Sequence, residues 1–162
     1  MVINYKLTNN GHAPEINKKG EWFDLFAEGD DRVQYFVHDR VVLIPLGVIF
    51  EMPHGIEAHV VSRSSTPIKK GVFVPNSVGI IDNSYRGDKD VIKFPCLSID
   101  NRPKIIKGGD KIAQVKFVLS QKATLWQKIK WFFTRIKLNQ VFVLSNESRG
   151  GFGSTDNINK KQ

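Results

Sequence analysis

The chain has 162 residues, 41% hydrophobic and 25% charged, with a net charge of +8 and a single cysteine, Cys96. That suffices for one domain with a core of its own but not for two; no apolar run approaches the roughly 18 residues of a membrane span, and a lone cysteine excludes an intramolecular disulfide and an all-cysteine metal site. Lys122, Lys128, Lys130, Arg135 and Lys137 fall between Gln121 and Gln140 with no acid among them, leaving +3 for the rest of the chain, which argues against a domain that coats nucleic acid.

In chain order, Met1 to Asn10 lacks the basic-then-apolar plan of a signal peptide, and with the lone thiol an intracellular, reducing compartment is expected. Val2 to Leu7 alternates apolar and polar residues, as a half-buried strand does. Arg40 to Leu46, Val48 to Met52 and Ile56 to Val61 are strand runs separated by Gly47 and the Met52-Pro53-His54-Gly55 turn. Val72 to Val74, Val78 to Ile81, Asp90 to Phe94, Pro95 to Ile99 and Lys111 to Leu119 continue the series, with turns at Pro67, Pro75-Asn76, Arg86-Gly87 and Gly108-Gly109-Asp110. Many short strands between turn signals predict an all-β sandwich or barrel.

One segment departs from this pattern. Leu125, Ile129, Phe132, Phe133 and Ile136 recur at three- and four-residue steps, which predicts an amphipathic helix over Leu125 to Leu138. The expectation is that its apolar face lies on the barrel. A second reading gives the segment to a partner, a protein first and an anionic surface second, because Trp131 falls off the stripe among Lys128 and Arg135. Val141 to Leu144 reads as a further strand. From Ser145 onward the polar, Gly-rich sequence predicts a flexible arm, so the organisation expected is a domain over 1–144 and an arm over 145–162.

Four stretches carry chemistry. Ser62-Arg63-Ser64-Ser65 sets a cation beside hydroxyls at a strand end, suited to phosphate through charge-assisted bonds. Asn76 to Gly87 is a hairpin arm ending in Asp82, Tyr85 and a turn. Gly109 to Gln114 places an amide on a strand after a glycine turn. Arg149 to Thr155 is Gly-rich, and glycines permit close backbone approach to phosphate. His12, His38, His54 and His59 show no metal-ligand spacing and read as surface or packing residues.

With Gly20-Glu21-Trp22-Phe23-Asp24-Leu25 at the front, these stretches occur in an order that resembles the trimeric dUTPase family. The most diagnostic are Gly-Ile-Ile-Asp-x-x-Tyr-Arg-Gly (79–87) and Gly-Gly-Phe-Gly-Ser-Thr (150–155). The resemblance spans the chain apart from Gln121 to Gln140, where compact members have a short link and phage-type members carry extra segments. It implies a β jelly roll assembled as a homotrimer, with sites gathered from neighbouring subunits and the arm donated to another subunit. The reaction it implies is hydrolysis of dUTP to dUMP and pyrophosphate, which limits uracil in DNA and supplies dUMP for dTMP synthesis. Asp82 matches the carboxylate that orients and deprotonates the attacking water. Tyr85 matches the aromatic under the deoxyribose that rejects a 2′-hydroxyl. Asn76, Gly79 and Ile81 belong to the hairpin that receives uracil. Arg63, Ser64, Ser65 and Gln114 match the phosphate-holding set, Phe152 and Gly153 the stacking segment, and Ser154 and Thr155 the cap on the β/γ end. Mg²⁺ is implied as cofactor, held by triphosphate oxygens and waters, with Asp24 near those waters.

This chain departs from the family pattern in three places. Trp22 and Phe23 precede Asp24 where most relatives read Gly-Tyr-Asp-Leu. Glu147 stands where relatives commonly place an arginine, so Arg149 is expected to serve the γ-phosphate from a shifted position. Ser65 replaces a glycine. The related dCTP deaminases need an arginine and a glutamate at positions that here are Ile68 and Ile92, which argues against deamination. A regulatory module that keeps the fold and acts through the insert is the other alternative. No membrane or nucleic-acid partner is expected. The compartment expected is the cytoplasm of a bacterium or phage-infected cell, the Lys-, Asn- and Ile-rich composition hinting at an AT-rich genome.

Overall fold

The computed structural model describes residues 1–16 and 19–144. The expected arm over 145–162, with Arg149, Phe152, Gly153, Ser154 and Thr155, lies outside the described residues. In chain order the strands are β1 (Val2–Leu7), β2 (Glu15–Ile16), β3 (Phe23–Phe26), β4 (Gln34–Val37), β5 (Val42–Pro45), β6 (Val48–Glu51) and β7 (Ile56–Ser62). Helix α1 (Ser65–Lys70) precedes β8 (Val72–Phe73), β9 (Gly79–Ile81), β10 (Lys93–Ser98), β11 (Lys104–Lys107) and β12 (Lys111–Leu119). Helix α2 (Leu125–Phe132) and β13 (Lys137–Gln140) follow.

The strands form the all-β jelly roll expected. One sheet runs β2-β3-β12-β7-β9, another β13-β1-β6, a third β5-β10-β8, and β11 pairs with β4. Alternation decides which side chains enter the core: in β7, Ile56, Ala58 and Val60 point inward while Glu57, His59 and Val61 do not. Phe117 of β12 lies edge-on to Phe50 of β6, ring centroids 5.1 Å apart, and both are fully buried. Each such ring contributes about 1.5–3 kcal/mol by leaving water. Pro95 is tolerated inside β10 because it pairs with Leu43 on one side, whereas β8 reaches β10 only at Leu97 and Ser98. No helix is long and apolar enough to cross a membrane among the described residues.

Several expectations are corrected. Asp90 to Ile92 is not strand, so the two runs expected there become the single β10. β2, β3, β4 and β11 were not expected as strands from the sequence. Ser62-Arg63-Ser64-Ser65 does lie at a strand end, β7 stopping at Ser62, but the chain then enters an unpredicted helix, α1, with Ser64 at the N-cap position and no side-chain capping bond. Thr66 holds that helix to the sheet by donating to the Ile112 carbonyl at 2.8 Å, and Gly71 closes it at φ +65°.

The insert differs most. Helix α2 ends at Phe132 rather than Leu138, and β13 pairs in parallel with β1, Val2 opposite Lys137 and Tyr5 opposite Gln140. The N-terminal ammonium donates to the Arg135 carbonyl at 2.7 Å and seals the junction. Half-buried Thr134, Ile136 and Leu138 already step by two, the period of a strand. Val141 to Leu144 is therefore not the strand: β1 is taken by Lys137–Gln140, the Val141 amide makes a last bond to the Tyr5 carbonyl at 2.8 Å, and the Leu144 amide then donates to Asp88 Oδ1 at 3.0 Å. The expected orientation of the helix is also reversed. Leu125, Phe132 and Phe133 are 75%, 86% and 88% exposed, whereas Trp131 packs against the core. Gln127 and Trp131 are four residues apart and share the face that meets the barrel.

Asp100 orders the β10–β11 turn, accepting from Ser98 Oγ, the Arg102 amide and Lys104 Nζ. Lys104 foremost, then the Arg102 amide, holds its carboxyl down to about 2. A carboxylate depressed in the folded chain contributes stability above its unfolded value and loses it as pH falls through the folded one. Asp100→Asn is accordingly expected to lower Tm near neutrality, by a margin that narrows between about pH 4 and about pH 2 in thermal melts followed by circular dichroism.

Candidate active site

The five-stranded sheet brings the predicted residues together as two separate groups. In the first, Gln114 of β12 stands opposite Asp24 of β3 on one side and Val61 of β7 on the other. Cross-strand partners share a face, and Arg63, two residues beyond Val61, extends the group. Arg63 Nε donates to Asp24 Oδ1 at 2.8 Å, and its Nη1 donates to the Lys111 carbonyl at 3.4 Å. Lys111 Nζ is 3.9 Å from Asp24 Oδ2 and also pairs with Glu15. The structure therefore places Asp24 on Arg63 and Lys111, where it orients the guanidinium. Ser64, exposed, and Ser65 follow at the start of α1. A cation, two hydroxyls and an amide on one surface can receive phosphate oxygens.

The second group is the turn and strand leading to Asp82, which are not the hairpin expected, since β9 pairs with β7 and β8 with β10. Its turn, Asn76-Ser77, is tight, with Ser77 at φ +59° and its amide donating to the Val74 carbonyl. β9 pairs with β7 through Gly79 opposite Val60 and Ile81 opposite Ala58, and it is the edge strand of its sheet. An edge strand presents a row of main-chain donors and acceptors, which suits recognition of a flat base edge. Asp82 follows, exposed, its Oδ1 accepting from the Ser84 amide at 2.8 Å and from Ser84 Oγ at 2.5 Å. Those bonds fix the carboxylate's orientation. Tyr85 is half-buried, its hydroxyl donating to the Val91 carbonyl at 3.1 Å. Burial, then the neighbouring Asp90 carboxylate, pushes that hydroxyl above its ordinary pKa, so it stays protonated.

Register separates the groups. Ile81 lies opposite Ala58, so Asp82 is level with Glu57, six residues from Arg63 along β7. At about 3.3 Å per residue this is about 20 Å. Within one chain, the Asp82 group and the Arg63 group are thus separated along the sheet.

No cluster of three or more His, Cys, Asp or Glu able to hold a metal occurs among the described residues. Asp24 is engaged by two cations and Asp82 stands apart from it.

One neighbour of Asp82 was not legible in the sequence. A cavity of about 200 Å³ is lined by His54, Asp82, Asn83, Gln121 and Lys122 among others, so the root of the insert adjoins the Asp82 carboxylate. Forty residues of intervening chain leave no spacing signal for that approach.

The dUTPase family model matches residues 11–154. A prophage-derived deoxyuridine 5'-triphosphate nucleotidohydrolase of Bacillus subtilis is 42% identical over 142 residues, covering 86% of this chain and 88% of that protein. Among solved structures, the dUTPase of Streptococcus mutans superposes with a TM-score of 0.64 at 22% identity, over 75% of this chain and 98% of that one. The dUTPase of phage phi11 of S. aureus, described as having a species-specific insert, superposes with a TM-score of 0.60 at 21% identity, over 76% of this chain and 93% of that one. With a family model matched over most of its length and relatives this similar along nearly all of theirs, the chain belongs to the dUTPase family.

Proposed function

We infer that the protein hydrolyses dUTP to dUMP and pyrophosphate, in sites completed by three copies of the chain. The observation that carries the reading is Asp82, exposed and oriented by Ser84 at the end of an edge strand, in a chain of this family. Uracil would lie along the main-chain edge of β9 beside Asn76, with Gly79 and Ile81 providing donors and acceptors. Tyr85 would pack under the deoxyribose. The carboxylate of Asp82 takes a proton from water as the new oxygen–phosphorus bond forms at the α-phosphorus and the bond to the bridging oxygen breaks. Arg63, Ser64, Ser65 and Gln114 would hold the phosphates. Mg²⁺, bound mainly by triphosphate oxygens and waters, would neutralise the charge that develops on the departing pyrophosphate. Arg149, Phe152, Gly153, Ser154 and Thr155 would close the site from another subunit.

The distance of about 20 Å between the Asp82 and Arg63 groups supports the shared site, because both are assigned to the phosphates of one nucleotide. The test is pyrophosphate release from dUTP with Mg²⁺, against UTP, dTTP and dCTP. Ammonia release from dCTP would overturn it in favour of a deaminase. The cytoplasm, where nucleotides are made, is the compartment this reading requires.

A second reading concerns the insert. Leu125, Trp126, Phe132 and Phe133 form an exposed apolar face flanked by lysines, which supports a regulatory protein partner there. Phe132→Ser with Phe133→Ser is expected to leave dUTP turnover within about twofold, since neither ring is packed on the barrel. Loss of the trimer in sedimentation would instead assign this face to subunit packing.

A further inference from the structure

Besides the packing of Trp131 on the core, the side chain of Gln127 ties the insert to the His54 turn of the barrel. At the third position of α2, Gln127 completes a capping box: its amide nitrogen in the main chain donates to Thr124 Oγ1 at 3.3 Å, and its side-chain Oε1 accepts from the Thr124 amide at 2.7 Å. Its Nε2 donates to the His54 carbonyl at 2.6 Å. Beneath it lies Gly55 at φ +82°, where a Cβ would come within 2.7 Å of Gln127 Oε1, so the amide is wedged onto the turn. The same turn is held by the Ser120 amide donating to the Gly55 carbonyl at 2.9 Å. On its other side, His54 Nδ1 accepts from Asn83 Nδ2 at 3.4 Å, and Asn83 adjoins Asp82. His54, Asp82 and Asn83 wall the cavity of about 200 Å³ into which the root of the insert also projects.

A capping box is satisfied by Glu as well as by Gln, and near a helix N-terminus a carboxylate is the more stabilising of the two. Only the amide can donate to a carbonyl. The residue present is thus the one the His54 contact requires, not the one the helix alone would favour.

We propose that Gln127 is a positioning residue for dUTP hydrolysis, holding the His54 turn against Asn83 and so fixing the loop that carries Asp82. This rests on the reading of Asp82 as the catalytic carboxylate. Gln127→Glu separates the two roles of the side chain: it keeps the capping box and sets a carboxylate against the His54 carbonyl. The expected result is unchanged helix content and trimer mass, a KM for dUTP within about twofold, and a kcat lower by about tenfold, as displacement of a catalytic group by a fraction of an ångström would give. Asn83→Ala should lower kcat as well, and the double variant should be no slower than the slower single one, because both cut one connection. Gln127→Met, which removes the amide and keeps the shape, gives the same reading if the carboxylate disturbs assembly. Wild-type kcat in both Gln127 variants, or additive losses in the cycle, would overturn the proposal. If Asp82→Asn kept full turnover, the assignment of the reaction would fail first, and the two failures are distinguishable.

Discussion

Asp82→Asn is expected to lower dUTP turnover by about a thousandfold while leaving the affinity for a non-hydrolysable dUTP analogue within about threefold. The substitution is nearly isosteric. Its amide oxygen can still accept from the Ser84 amide and hydroxyl, so the loop keeps its shape. What is lost is the site that takes up the water's proton, and positioned general bases contribute about a hundred- to ten-thousandfold. Binding should survive because the base, sugar and phosphates are assigned to other groups: the edge of β9, Tyr85, and the set around Arg63. Single-turnover pyrophosphate release separates the chemical step from product release. An Asp82→Asn protein turning over within tenfold of wild type would sink the mechanism.

The second large effect is recovery of activity from two dead proteins. Arg63→Ala should also be severely impaired, since it removes the phosphate-binding cation and leaves Asp24 without its partner at 2.8 Å. If each site takes Asp82 from one chain and Arg63 from another, unfolding and refolding an equal mixture of Asp82→Asn and Arg63→Ala chains produces some sites with both residues intact. Random assortment puts an Asp82-bearing chain at one position half the time and an Arg63-bearing chain at the other half the time, so about a quarter of wild-type activity returns. A site built within one chain would return none. The result depends on the separation of the two groups along β7 and distinguishes the shared site from any rearrangement that brings them together in one subunit.

How much of this was legible beforehand varies with the residue. Asp82 and Tyr85 were marked by the resemblance of one short stretch to the family pattern, and both stand in one local turn, the Tyr85 amide donating to the Asp82 carbonyl at 3.0 Å. Strands β1 and β12 were readable to the residue, being long enough for alternation to show. Asp24 was legible as a member of a motif but not as the partner of Arg63, which lies on another strand and meets it only through the pairing of both with β12. The side chain of Gln127 was readable as a capping residue at most. Its second bond, to His54, depends on a turn 73 positions away.

Sequence by itself determined the class of fold, the order of the motifs, the location of the excess charge, and the existence of a helix after Leu125. Each of these depends on neighbours within a few residues: alternation, turn residues, or a period of three to four. Only the tertiary structure decided that the helix stops at Phe132, that its apolar stripe faces away from the barrel, and that Asp82 and Arg63 lie far apart along the sheet. A hydrophobic pattern tells which side chains share a face and is silent about which face the rest of the molecule will take. Here the His54 carbonyl selected the Gln127 side, and β1, more than 130 residues distant, drew Lys137–Gln140 into a parallel strand. Long-range pairings of this kind are set by which main-chain edges remain unsatisfied once the core has closed, a property of the assembled chain and of no segment in it.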